Sequence, residues 1–139
     1  MLDNDLNVRK SEGTDKIWLC TNHIMEYYIY ACYFEPQQKI LMPELPIAEY
    51  YRTYADLCVK LQKYKRAEDA YKKALCWNPV DLDSYLGLAE CYKYLNMMSR
   101  YLDVTKQAYR FCCTRATMAR YYRNMGFYYL SSYNTDMAK

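Results

Sequence analysis

Residues 61–79, LQKYKRAEDAYKKALCWNP, place Tyr64, Ala67, Tyr71 and Ala74 three, four and three residues apart and then stop at a proline. That spacing puts two rings and two methyl groups on one side of a helix, and Pro79 cannot continue it. Upstream, Tyr50, Tyr54, Leu57 and Leu61 step by four, three and four, so a second amphipathic helix ends where this one begins, near Gln62-Lys63. A connection that short makes the two helices antiparallel neighbours. Beyond Pro79 no further proline occurs, and the periodicity predicts helices over residues 47–61, 64–77, 82–95, about 98–113 and about 118–131.

Composition points to the same class. Only 3 Gly and 4 Pro leave too few turn formers for a β-sandwich or a doubly wound sheet, whereas a helical stack needs few. With 53% hydrophobic and 25% charged residues in 139, the chain is one globular all-α domain, not a disordered polymer. Its 19 tyrosines suit ring packing between helices with hydroxyls reaching the surface. A net charge of +3 is too mild to nominate nucleic acid as a partner. The 7 cysteines are an odd number, Cys112 and Cys113 are adjacent, and residues 1–16 are polar, which favours reduced thiols in a cytoplasmic protein over a secreted disulfide framework.

Residues 1–13 read as a mobile polar tail, and Thr14 as the N-cap of a helix from Asp15 to about Phe34. Asn22, His23 and Glu26 interrupt its apolar run, so it is a buried helix and no membrane span. Pro36, Pro43 and Pro46 make residues 35–46 an extended connection.

A shift of 34 residues carries Tyr51, Tyr54, Ala55 and Cys58 onto Tyr85, Leu88, Ala89 and Tyr92; a further shift of 37 reaches Tyr122, Met125, Gly126 and Tyr129. Large, large, small and large recur, the small residue letting two helices approach and the large ones filling the groove. On these residues the chain resembles the tetratricopeptide repeat (TPR) family. Residues 48–81 match best, with Tyr51, Tyr54-Ala55, Tyr64, Ala67, Tyr71, Ala74 and Pro79 in place and Cys58 where a tyrosine is usual. A second copy over residues 82–118 keeps Tyr85, Leu88-Ala89, Tyr92 and Ala108, has Tyr101 for alanine and Thr105 for an aromatic, and carries three extra residues expected between Cys112 and Thr117. A third, truncated copy spans residues 119–139 with Tyr122, Asn124-Met125-Gly126, Tyr129 and Ala138. Residues 14–46 are a degenerate repeat or a non-repeat helix followed by the proline-containing loop. The resemblance implies an α-solenoid of antiparallel helix pairs, a superhelix expected to be a piece of a longer array, or closed by two copies meeting through the third repeat, or covered there by the helix 15–34 of a neighbouring copy.

No residue set suggests catalysis. His23 lies one helical turn from Cys20, but a zinc site needs two further ligands and no Cys-x-x-Cys pair supplies them. Cys58, Cys76 and Cys91 fall where small apolar side chains are wanted, and phosphate loops and nucleophile elbows are absent. Metal, cofactor and enzymatic activity are therefore not expected. Lys63-Tyr64-Lys65-Arg66 and Arg120-Tyr121-Tyr122-Arg123 mix cations and rings as RNA readers do, but the repeat frame turns Tyr64 and Tyr122 into the core.

The resemblance implies instead a protein-interaction module whose first helices line a concave face. The residues it carries there are Glu49, Arg52, Asp56 and Val59, then Asp83, Leu86, Glu90 and Lys93, then Arg120, Arg123, Phe127 and Leu130. Some relatives grip a peptide's terminal carboxylate with Lys, Arg and Asn on these helices. Here Arg52 and Arg120 fit, whereas Asp56 and Gly87 replace Asn and Asn124 replaces Arg, so a different peptide or protein ligand is expected. An oligomerisation or structural segment of a larger protein is the alternative, and helical-repeat RNA binding a weaker one. The repeat register also places Ala55 at a helix crossing, where Ala55→Leu overpacks; a melt should show a loss of about 1–3 kcal/mol.

Overall fold

The structure, a computed structural model, describes residues 15–137, with side chains as far as Tyr133. The expected tail, the Thr14 cap and Ala138 lie outside the described residues. The fold is mostly helical: α1 (Ile24–Phe34), α2 (Ile47–Lys60), α3 (Tyr64–Trp77), α4 (Leu82–Tyr94), α5 (Met98–Ala108) and α6 (Arg115–Met137), with short strands β1 (Lys16–Trp18) and β2 (Lys39–Leu41). From α2 onward each helix packs on the next.

The turns after α2 and α4 are the same turn, 34 residues apart. Gln62 donates to the Val59 carbonyl and Lys63 to that of Cys58; Asn96 donates to Lys93 and Met97 to Tyr92. This double bond closes a helix end around one left-handed residue, and Gln62 and Asn96 both sit at φ 57°. The backbone thus repeats the period read in the side chains.

The main core joins Ala55 and Cys58 of α2, Ala67, Ala70 and Tyr71 of α3, Leu88, Ala89, Cys91 and Tyr92 of α4, and Tyr101 and Val104 of α5. Tyr71 ties three helices together. Its hydroxyl donates to Asp56 on α2, and its ring fills the space where a Cβ on Gly87 of α4 would stand. Burial, then Asp56, pushes the phenol well above the usual tyrosine range, so it remains a donor. One carboxylate is shared among α3, α4 and α5. Buried Glu68 accepts from Lys72 at 2.6 Å, Lys65 at 3.3 Å and the Tyr92 hydroxyl at 3.2 Å, with Arg100 at 3.7 Å. Burial raises its pKa, but Lys72 and Lys65 more than offset that and hold it below the glutamate range. The resulting stabilisation is full above the ordinary glutamate value and is lost as pH falls through the lowered one.

Three expectations are corrected. The first concerns residues 15–34, where β1 stands in place of a helix start and pairs in parallel with β2, Ile17 opposite Ile40. The helix begins only at Ile24, because the Glu26 carboxylate folds back onto the Asn22 backbone N–H (2.6 Å) and side-chain amide (3.0 Å) and so fixes the entry. This strand–helix–strand segment does not stack beyond α2 as an end repeat. Leu19 and Tyr30 pack with Val80 and Phe111, Tyr33 meets Phe111 edge-on, and Cys20 donates its N–H to the Trp77 carbonyl at 2.9 Å, so the segment lies across the linkers α3–α4 and α5–α6.

The second concerns α2. Its periodic stripe Tyr50, Tyr54, Leu57 and Leu61 is between 50% and 64% exposed, and the buried face is Ala48, Ala55 and Cys58. Two apolar stripes share this helix, and packing against α3 selects the one whose small side chains permit close approach.

The third concerns α6. It starts at Arg115, ahead of the expected 118, because Thr114 and Thr117 cap each other's backbone N–H at 3.2 and 3.0 Å. A 3-10 turn, Tyr109–Phe111, takes up part of the connection. The half-buried face is Tyr121, Asn124, Met125 and Tyr128, whereas Tyr122 and Tyr129 are 60% and 61% exposed and among the described residues nothing lies within 4 Å of a Cβ on Gly126. The shift of 37 residues therefore keeps Met125 but misplaces Tyr122, Gly126 and Tyr129. Tyr101, buried where the first copy has Ala67, decides the rotation: its hydroxyl donates to the Asn124 carbonyl at 3.0 Å and its ring meets Phe127 edge-on.

Helix propensity alone favours Gly→Ala by about 1 kcal/mol. At Gly87 the sign reverses, because Tyr71 is buried and held by Asp56. Gly87→Ala should lose about 1–3 kcal/mol in urea unfolding.

Candidate functional site

Where α4, α5 and α6 meet they enclose a pocket of about 350 Å³. Leu86, Glu90 and Lys93 come from one face of α4, Arg120, Arg123, Asn124 and Phe127 from one face of α6, and Tyr101 forms the floor from α5. Steps of three and four along each helix bring these side chains to the same side. The Lys93 ammonium lies 4.7 Å from the centre of the Phe127 ring, a cation on an aromatic face. Arg120 bonds Asp83 at 2.7 Å on the exposed rim. Burial, then Glu90, pushes Tyr101 up to about 12, so its hydroxyl stays protonated and committed to the Asn124 carbonyl. Lys93, Arg120 and Arg123 against Glu90 and Asp83 leave the pocket with an excess of positive charge.

Six residues of the expected concave face thus converge here: Leu86, Glu90, Lys93, Arg120, Arg123 and Phe127. Asp83 reaches it only through Arg120. Tyr101 and Asn124 line the pocket although neither was among the expected binding residues, Tyr101 because it reads as a core substitution and Asn124 because it reads as a missing arginine. Glu49 is exposed outside the pocket, Val59 packs on the core, and Leu130 faces solvent.

Arg52 and Asp56 have structural work instead. Asp56 receives Tyr71. Arg52 reaches from α2 to Asp81 at the start of α4, with Nη1 3.1 and 3.2 Å from the two carboxylate oxygens and only 21% and 2% of the two side chains exposed. Asp81 also accepts from Ser84 at 2.6 Å, and burial nevertheless raises its pKa, so this charge depends on its partners. Beside it, Asn78 donates to Glu26 of α1 at 2.8 Å. The expectation that Arg52 offers a free cation to a ligand is therefore corrected: its charge is consumed at the α2–α4 junction.

Cys20 and His23 do not meet, the Cys20 thiol pointing to the Leu45 carbonyl and His23 approaching Glu26. Among the described residues no three His, Cys, Asp or Glu side chains gather to hold a metal, and no helix is long and apolar enough to cross a membrane. Burial pushes the Cys91 thiol up to about 12, which makes it a poor nucleophile. In the basic and aromatic runs, Tyr64 stacks on Tyr94 and Tyr121 lies against Tyr109, while Tyr122 is exposed, contrary to the core position expected of it. No family model matches the chain, and neither a curated protein nor a solved structure matches it.

Arg52→Ala leaves Asp81 buried without its cation and should cost about 3 kcal/mol, whereas Arg123→Ala, at an exposed site, should stay within about 0.5 kcal/mol; urea titrations of the two variants compare them.

Proposed function

We propose that this chain is a protein-interaction module, a TPR-like stack of helix pairs that takes a peptide or protein partner in the pocket between α4, α5 and α6. The observation that supports this reading is the pocket: residues from three helices converge in a concavity of about 350 Å³, the size of an amino-acid side chain with its neighbours. Its cations carry the choice of ligand. Arg120 is balanced by Asp83 and Lys93 rests on Phe127, so among the described residues of the pocket Arg123 is the positive group with no such partner, suited to an acidic side chain flanked by an apolar one that packs on Leu86 and Phe127. In this reading the module has no catalytic chemistry, cofactor or metal and works in the cytoplasm. The outward Tyr122, Tyr129, Leu130 and Tyr133 of α6 favour pairing of two copies as the second reading.

Selection of a displayed random-peptide library on the wild-type chain should enrich sequences with an acid next to an apolar residue. Binding of the enriched peptides should fall about tenfold or more on Arg123→Glu and on Phe127→Ala. Absence of a shared motif, or a motif indifferent to both substitutions, removes the pocket from consideration.

A further inference from the structure

The exposed stripe of α2 has a buried counterpart inside the same molecule. Moving by the 34-residue period of the two turns, Tyr50, Tyr54, Leu57 and Leu61 become Ser84, Leu88, Cys91 and Leu95 of the α4 region. Leu88 and Cys91 are at most 4% exposed and lie in the core with α3, Leu95 is half-buried and Ser84 is buried on Asp81, whereas Tyr50, Tyr54, Leu57 and Leu61 are all at least 50% exposed. The difference is one helix. On the α4 side α3 supplies Ala67, Ala70 and Tyr71 to the shared core; among the described residues no helix plays that part for the stripe of α2, because α1 packs on the linkers and the N-terminal segment meets α2 only where Trp18 and Cys20 pack with Ile47, Ala48 and Tyr51.

Charge repeats as well as shape. Glu68 of α3, which accepts from Tyr92 of α4, also approaches Arg100 of α5 at 3.7 Å. The period carries Arg100 back onto Arg66 of α3, which is exposed, forms no ion pair among the described residues and edges a 250 Å³ opening with Tyr54 and Ala70, where Asp69 and Lys73 stand as Asp103 and Gln107 do beside Arg100 in the sequence period. The outer face thus has the apolar stripe and the cation of the internal junction without the helix that completes them.

We propose that the outer face of α2 and α3 docks an amphipathic helix that presents a carboxylate beside alanine and tyrosine side chains, the chemistry that α3 itself offers to α4 and α5. The complementarity is specific in register. Alanines of the incoming helix meet Tyr54 and Leu57, and its acid meets Arg66, as Glu68 meets Arg100. This surface is separate from the pocket between α4 and α6 and does not depend on what that pocket binds.

The probe is a labelled, helix-stapled peptide of residues 63–78, the sequence of α3 with one flanking residue at each end, titrated into the intact chain by fluorescence anisotropy. Binding is expected with a dissociation constant at or below about 100 μM. Tyr54→Glu in the chain should abolish it, and Arg66→Glu should weaken it about tenfold. A peptide carrying Glu68→Lys should regain affinity on Arg66→Glu. Both substituted residues are exposed, and unchanged helical circular dichroism verifies that the variants fold. No binding to the wild type overturns the proposal, and so does binding indifferent to both substitutions, which would mean that the peptide displaces α3 from its own place. A synthetic peptide of residues 1–14 that expels the probe assigns the face to that segment and overturns the proposal. A wild-type dimer in light scattering that Tyr54→Glu dissociates and the probe does not assigns it to a second copy, with the same consequence.

Discussion

The contact of Tyr71 with Gly87 governs how closely α3 and α4 approach. A full side chain at residue 87 would hold the helices apart, and a smaller one at residue 71 would leave a void beneath the glycine. Because the same hydroxyl is held by Asp56, the ring also fixes α2 relative to both. Glu68 then acts across the geometry so defined, reaching its cations on α3 and α5 and the Tyr92 hydroxyl only at that separation. The pocket inherits the arrangement, since α4 supplies three of its lining side chains.

The second junction shows what happens when the tyrosine moves by one turn. Thr105 occupies the place of Tyr71 and Tyr101 the place of Ala67, both buried. The bulk now lies nearer the start of α5, and α6 answers by turning Asn124 and Phe127 toward Tyr101. Rotation of α6 is what brings Arg120, Arg123 and Phe127 opposite Leu86, Glu90 and Lys93. The pocket is thereby formed where the second junction departs from the first.

The helices α2 to α5 are legible in the sequence because alanine and tyrosine alternate at unambiguous helical spacing and because the connections are too short for anything else. What escapes the sequence is face selection. On α2 the stripe of Tyr50, Tyr54, Leu57 and Leu61 is more hydrophobic than the stripe of Ala48, Ala55 and Cys58, yet close packing rewards small side chains over greasy ones. On α6 two tyrosine stripes are equally apolar, and only the Tyr101 and Thr105 interchange decides between them. Arg52 reads as a ligand-binding cation because its acid, Asp81, sits in a linker 29 residues away. The strand at Lys16–Trp18 is invisible for a similar reason: its hydrogen-bonding partner lies beyond an entire helix. The pocket residues on α4 and α6 were accessible through the repeat frame, although Tyr101, its floor, was not.

The strand–helix–strand segment introduces another kind of order. A row of helices joined by short turns makes mostly local contacts, which form quickly and at little loop-closure cost. The bond from Asn78 to Glu26 spans 52 residues, and Tyr33 meets Phe111 from still further along the chain. In a chain that assembles from its local contacts first, contacts so remote in sequence form late, and interactions absent from the folding transition state act chiefly by slowing unfolding. The segment is therefore a kinetic clasp: it governs how long the helices stay together once folded more than how fast they find each other, and it joins two linkers that would otherwise open independently into one cooperative unit.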